Sequence, residues 1–127
     1  DLLKKSDILS LHAPLSTETK GLIGTTELAL LPPGAVLVNT SRGQLIDESA
    51  LIRALTNKHL AGAALDVVAQ ERENDGSQKS PLLDYAGSHD NLLITPHIGG
   101  ATYESMAQTE VFMAHKLTKY LRSLDED

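Results

Sequence analysis

Ala35-Val-Leu-Val-Asn-Thr-Ser-Arg-Gly43 is an apolar run that stops abruptly in small polar residues and one arginine. Four consecutive apolar residues without alternation predict a strand covered on both faces, as in a parallel sheet flanked by helices. Asn39, Thr40 and Ser41 then offer short hydrogen-bonding groups, Arg42 a planar fork of donors, and Gly43 the freedom to turn toward the next helix. In open α/β sheets ligands gather beyond the carboxyl ends of the strands, so Arg42 stands where a substrate carboxylate is expected. An arginine taken alone is more often a surface residue. The other strand ends decide between the two.

On the amino-terminal side, residues 7–12 read as a strand that runs into Ala13-Pro14, where proline removes a donor and biases its neighbour to an extended conformation. The opening residues, with Lys4 and Lys5, read as the last turns of a helix. Residues 16–20 can form a helical turn stopped by Gly21, and residues 25–31 another, ended by Pro32-Pro33-Gly34. On the carboxyl side, Asp47 is the natural N-cap of a helix over residues 48–58. Glu48 lies in its positive first turn, and Ile46 is placed to staple against Leu51. His59, beside the helix end, reads as structural or exposed.

Residues 60–66 form the third strand, with small residues that permit close approach and Asp66 at its carboxyl end. Residues 70–90 are polar and hold Gly76, Pro81 and Gly87, which predicts a long surface loop with one turn at residues 81–85. Residues 91–95 are the fourth strand, closed by Pro96-His97. Gly99-Gly100 then leads into a helix over about residues 103–124 capped by Thr102. Met106, Met113, Leu117, Tyr120 and Leu124 recur at spacings of 7, 4, 3 and 4, a stripe expected to be core. His115 lies off that stripe, and residues 125–127 read as a frayed acidic tail. The order of elements predicts an α/β fold: a partial doubly wound parallel sheet, Rossmann-like, four strands with flanking helices and all strand ends on one edge.

The chain has 127 residues with 41% hydrophobic content, enough for one domain or part of one. A net charge of -6 without a basic run gives no footprint for nucleic acid or an anionic membrane. With no cysteine there are no disulfides, thiol nucleophiles or thiolate metal sites. No apolar run approaches the roughly 20 residues of a membrane span, and the first residues lack the apolar core of a signal peptide. A soluble, cytoplasmic protein is expected. The five histidines, at 12, 59, 89, 97 and 115, include no pair at metal-binding helical spacing, so no metal site is expected.

The predicted sheet edge collects His12 and Pro14, residues 39–43, Asp66 with Glu71 five residues on, and His97 with Gly99 and Gly100. Arg42 can grip a carboxylate bidentately, His97 can donate a proton to a developing alkoxide, and Glu71 can orient and charge the imidazole. That chemistry fits interconversion of a 2-keto and a 2-hydroxy acid, with hydride from a cofactor, since no side chain supplies it.

Leu11-His-Ala-Pro-Leu15, Pro33-Gly-Ala-Val-Leu-Val-Asn-Thr-Ser-Arg-Gly43, Ile46-Asp47, Ala63-Ala-Leu-Asp-Val67 with Glu71, and Thr95-Pro-His-Ile-Gly-Gly-Ala-Thr102 together resemble the D-isomer-specific 2-hydroxyacid dehydrogenases. The branch of phosphoglycerate dehydrogenase and glyoxylate/hydroxypyruvate reductase looks nearest. The resemblance implies an oxidoreductase that moves hydride between NAD, with NADP left open, and a small 2-hydroxy or 2-keto acid. It implies Arg42 as the substrate-binding arginine, Glu71 as the acid paired with the catalytic histidine, and His97 as general acid/base. His12, Ala13, Pro14, Thr40, Ser41, Asp66 and Gly99 match cofactor-contacting positions, Asp66 being the residue that holds the nicotinamide carboxamide. A homo-oligomer is expected.

Two departures accompany the match. No G-x-G-x-x-G phosphate loop occurs, and Gly21-Leu-Ile-Gly24 does not join a strand to a helix in the way that loop requires. Arg72 follows Glu71 where the family commonly has proline. Residues 1–127 are therefore expected to be the C-terminal half of a nucleotide-binding domain, with the last helix leading toward an absent substrate domain. Alone, such a piece is expected to be inactive, to bind NAD weakly, and to self-associate through the bared edge of residues 7–12. Two other readings stay open on sequence: a non-catalytic dinucleotide-sensing or corepressor-like interaction module of the same fold, and a receiver-like or flavodoxin-like domain.

Overall fold

The computed structural model describes residues 1–69 and 80–124. After a 3-10 turn at Leu3–Lys5 come strand β1 (Ile8–Leu11), helix α1 (Thr25–Leu30), strand β2 (Ala35–Asn39), a 3-10 turn at Gly43–Leu45, helix α2 (Glu48–Thr56), strand β3 (Leu60–Leu65), helix α3 (Pro81–Ala86), strand β4 (Leu92–Ile94) and helix α4 (Tyr103–Leu124). The strands form one sheet in the order β1-β2-β3-β4, every neighbouring pair parallel. The α/β class and the four strands agree with the sequence reading. Residues Asp1–Pro96 form one compact unit and His97–Asp127 a second.

In the first unit, an unreversed strand order with right-handed crossovers sends the intervening helices to one face of the sheet. Leu9, Leu11, Leu37, Ala63, Leu65 and Leu92 point into a core shared with Leu28, Leu51, Leu55, Leu82 and Tyr85. Among the described residues of this unit, nothing covers the opposite face in the same way, which corrects the expectation for β2. Its residues alternate between buried and half-buried, and on the open side Ile8 is 68% and Leu93 62% exposed. An apolar run without alternation therefore records apolarity on both faces, and the crossovers described cover only one of them.

Helix boundaries follow local chemistry. Asp47 Oδ1 accepts from the Ala50 amide at 3.0 Å as the N-cap of α2, and Ile46 and Leu51 are both buried. Glu27 reaches back to the Gly24 amide at 3.1 Å to close the start of α1, and Ser16 accepts from Lys20 in a turn that Gly21 ends at φ +68°. The expected turn within residues 81–85 is a six-residue helix with Pro81 in its first turn. Helix α2 stops at Thr56, two residues short of the expected end, because Lys58 adopts φ +56° while the His59 amide donates back to Ala54. This left-handed turn usually carries glycine. His59 is half-buried, its ring nitrogen 3.0 Å from the Leu28 carbonyl, so its role here is structural.

The second unit holds a short turn and α4, which Thr102 caps through the Ser105 amide at 3.2 Å. The stripe expected to be core is exposed: Met106, Met113, Leu117 and Tyr120 are 51–61% accessible, because the described residues of this unit contain no second element to bury them. His115 is exposed as expected. The side chain of Leu124, residues 125–127 and the 70–79 part of the expected loop lie outside the described residues. Among the described residues no helix is long and apolar enough to cross a membrane.

Lys58→Gly should stabilise the fold by about 1 kcal/mol, since a left-handed residue costs roughly 1–2 kcal/mol that glycine avoids, less its own entropy. Urea unfolding reads the change, and a lower midpoint at unchanged slope would contradict the strain at Lys58.

Candidate functional site

The carboxyl ends of the four strands are tied to one another by side-chain and backbone hydrogen bonds. At the end of β2, Asn39 is fully buried, and its carboxamide accepts from the Ser41 amide at 3.0 Å while donating to the Arg42 carbonyl at 2.9 Å. Ser41 Oγ donates to the Ala13 carbonyl at 2.6 Å, joining the loop after β2 to the loop after β1. The Asn39 carbonyl accepts from the Asp66 amide at 2.9 Å, and Thr95 Oγ1 donates to Asp66 Oδ1 at 2.5 Å, carrying the chain of bonds on to the ends of β3 and β4. Asp66, the one buried charged residue among the described residues, is 7% exposed. A carboxylate so placed is held in position by hydrogen bonds rather than by solvent.

The loop carrying Arg42 is also clamped from behind. A Cβ on Gly43 would overlap the carbonyl of Val68 and the amide of Ala69, so only glycine lets the exit of β3 pass this closely. Gln44 Nε2 donates to the Ala69 carbonyl at 2.8 Å, and Glu48 Oε1 accepts from the Ala69 amide at 2.7 Å. On its other side the segment pairs with residues 21–23, through Gly21 to Gln44 at 2.8 Å, Ile23 to Leu45 at 2.9 Å and Asp47 to Ile23 at 3.0 Å. Arg42 itself is extended and exposed at the rim, its guanidinium resting on the Ser41 carbonyl at 2.6 Å. A braced backbone under a long, exposed side chain suits a group that must meet an incoming anion.

The first unit thus brings together Ala13, Ser41 and Asp66 around the Arg42 loop, with Pro14 and Thr40 exposed beside them in sequence. His12 is exposed, its Nε2 2.8 Å from Ser10 Oγ. His97 and Gly99 belong to the second unit. His97 adopts φ +54°, a conformation that costs a non-glycine residue energy and that recurs at functional positions. Glu71 lies outside the described residues. Sequence reasoning missed the bracing groups: Asn39, singled out there only as a polar terminator, and Gln44, Glu48 and Thr95. The partners of Gln44, Glu48 and Thr95 stand 21 to 29 residues away, where no local spacing signals them, whereas Asn39 bonds residues two and three positions on, a local turn that the short polar run could have signalled.

Residues 1–99 match the family described as D-isomer specific 2-hydroxyacid dehydrogenase, NAD binding domain. The chain belongs to this family of D-isomer-specific 2-hydroxyacid dehydrogenases. It is 46% identical over 121 residues to the D-3-phosphoglycerate dehydrogenase of Escherichia coli K12, covering 94% of the chain and 28% of that protein. The glyoxylate reductase of Aeropyrum pernix is 41% identical over 120 residues, 94% of this chain and 34% of its own length. Among solved structures, D-2-hydroxyisocaproate dehydrogenase superposes with a TM-score of 0.82 at 32% identity, over 94% of this chain and 38% of that one. D-lactate dehydrogenase from Lactobacillus jensenii, with NAD+, gives 0.77 at 36% identity, over 82% and 33%. The chain therefore spans about a third of the length of the dehydrogenases it matches, and these relatives do not favour the non-catalytic alternative.

Gly43→Ala should cost at least about 3 kcal/mol or abolish folding, because the clash is with backbone that cannot rotate away. Gly100→Ala, where a Cβ meets nothing within 4 Å, should stay within about 0.5 kcal/mol. Thermal melts of the two variants compare them, and equal effects would contradict the close approach at Gly43.

Proposed function

We propose that the chain is the C-terminal half of the nucleotide-binding domain of an NAD-dependent D-2-hydroxyacid dehydrogenase that acts on a small 2-keto or 2-hydroxy acid. The observation that carries this reading is the braced rim, where a fixed Arg42 loop and a buried Asp66 carboxylate lie at the carboxyl ends of adjacent parallel strands. The donor set fits the nicotinamide end of NAD. Asp66 would accept from the carboxamide NH2, while Thr40, Ser41 and the His12-Ala13-Pro14 segment would line the cofactor, and Gly99 matches a cofactor-contacting position of the family. The pyrophosphate has no matching glycine-rich loop in this sequence, so the other half of the cofactor would be held by residues beyond it.

Bound NAD supplies the hydride acceptor or donor. The chain's own groups do the remaining work. Arg42 binds the substrate carboxylate through two parallel N–H donors, which fixes the keto carbon in one orientation. His97 gives a proton to the carbonyl oxygen as it gains negative charge, and takes it back from the hydroxyl in the reverse direction. Glu71 is proposed, on the resemblance alone, as the acid that pairs with this histidine. We further propose a cytoplasmic homo-oligomer, the cysteine-free composition suiting a reducing compartment.

In the complete enzyme, His97→Ala should lower kcat by about 10² to 10⁴-fold, the range for loss of a positioned acid/base. Near-normal turnover of a panel of 2-keto acids would overturn the assignment. Arg42→Lys should lower kcat/KM, since an ammonium cannot reproduce the planar fork. An unchanged kcat/KM would return Arg42 to the role of a surface charge.

A further inference from the structure

Asn39 is the terminal residue of β2, and its side chain is fully buried. A carboxamide enclosed in an apolar sheet is costly unless both ends are paired, and here both are paired to one short stretch of backbone. Its oxygen takes the Ser41 amide and its NH2 goes to the Arg42 carbonyl. The two contacts bracket the backbone of Arg42, which leaves the strand at φ -144° and ψ 135° before the 3-10 turn begins. Among neutral side chains of this length only a primary amide donates at one end and accepts at the other. Leucine, of similar size, would do neither, and an ionised aspartate would set a second acceptor against the Arg42 carbonyl.

Arg42 is exposed, and its guanidinium rests on the carbonyl of Ser41, part of the same short stretch of backbone that Asn39 holds. Its direction comes from its Cα–Cβ bond, and that bond is set by the peptide groups Asn39 holds. We propose that Asn39 is the positioning residue for Arg42, fixing where the guanidinium meets the substrate carboxylate without touching substrate or cofactor. The proposal rests on the reading of Arg42 given above.

The experiment is a double-mutant cycle in the complete enzyme, assayed with NADH and pyruvate, glyoxylate or hydroxypyruvate. Asn39→Leu should raise KM for the keto acid and lower kcat/KM by about 10 to 100-fold, the scale of a misplacement near 1 Å. NAD affinity should stay within about twofold, which also certifies folding. In an Arg42→Ala background the same substitution should cost less than about threefold, since nothing remains to be aimed. Asn39→Asp, isosteric and still able to accept from Ser41, should lose at least as much as Asn39→Leu, and it carries the test if the leucine variant does not fold. An unchanged kcat/KM in both variants, or equal losses with and without Arg42, would overturn the proposal by making Asn39 purely structural. If Arg42→Ala alone leaves KM unchanged, the carboxylate reading of Arg42 falls and the positioning role with it. An impaired Arg42→Ala with a normal Asn39→Leu sinks the positioning role alone.

Discussion

A buried carboxamide with both ends satisfied governs the functional edge of this chain. A parallel strand must release its backbone at the carboxyl end into a loop whose peptide groups still need partners. At β2 those partners come from Asn39, which holds the amide of Ser41 and the carbonyl of Arg42 in the dry base of the sheet. From there the bonds run to Ala13 on one side and to Asp66 and Thr95 on the other. The ends of four strands that meet only through the sheet are thereby tied together at the rim. Arg42 projects from a support that cannot shift without breaking several buried bonds at once.

The parts of the fold readable in the sequence were those written in neighbouring residues. The cap at Asp47 and the stop at Gly21 rest on interactions within a few positions, the four strands announce themselves as short apolar runs, and the structure has them all. Less was legible where the partner is distant. Nothing beside Gly43 tells that Val68 and Ala69 lie against it, and nothing beside Glu48 tells that its carboxylate caps the Ala69 amide as well as favouring the helix start. The left-handed conformation of Lys58 was invisible, because lysine does not announce positive φ, and that of His97 was at most hinted at, since histidine adopts it more often than most residues. At Lys58 this ended the helix early. At His97 it marks a backbone held in a costly conformation by a residue the chemistry already singles out.

Apolar periodicity was read correctly as periodicity and too generously as burial. The stripe along α4 and the second face of the sheet both carry side chains that prefer to leave water, yet Met106, Met113, Ile8 and Leu93 are each more than half exposed. A one-way strand order explains the sheet, since it places its crossovers on one side. The match to proteins about three times as long gives the wider setting for these surfaces. Hydrophobic pattern states which faces seek a partner, and the partner itself has to come from elsewhere in the polypeptide or from another one.

The most direct test of the account is a crystal structure of the complete enzyme with NAD and oxamate, a carboxylate analogue of a 2-keto acid. The account predicts the oxamate carboxylate gripped by both arms of Arg42 at about 2.7–2.9 Å, with the Asn39 bracket unbroken beneath it. Oxamate bound away from Arg42, or an Arg42 still resting on the Ser41 carbonyl with its ligand held by other groups, would contradict it.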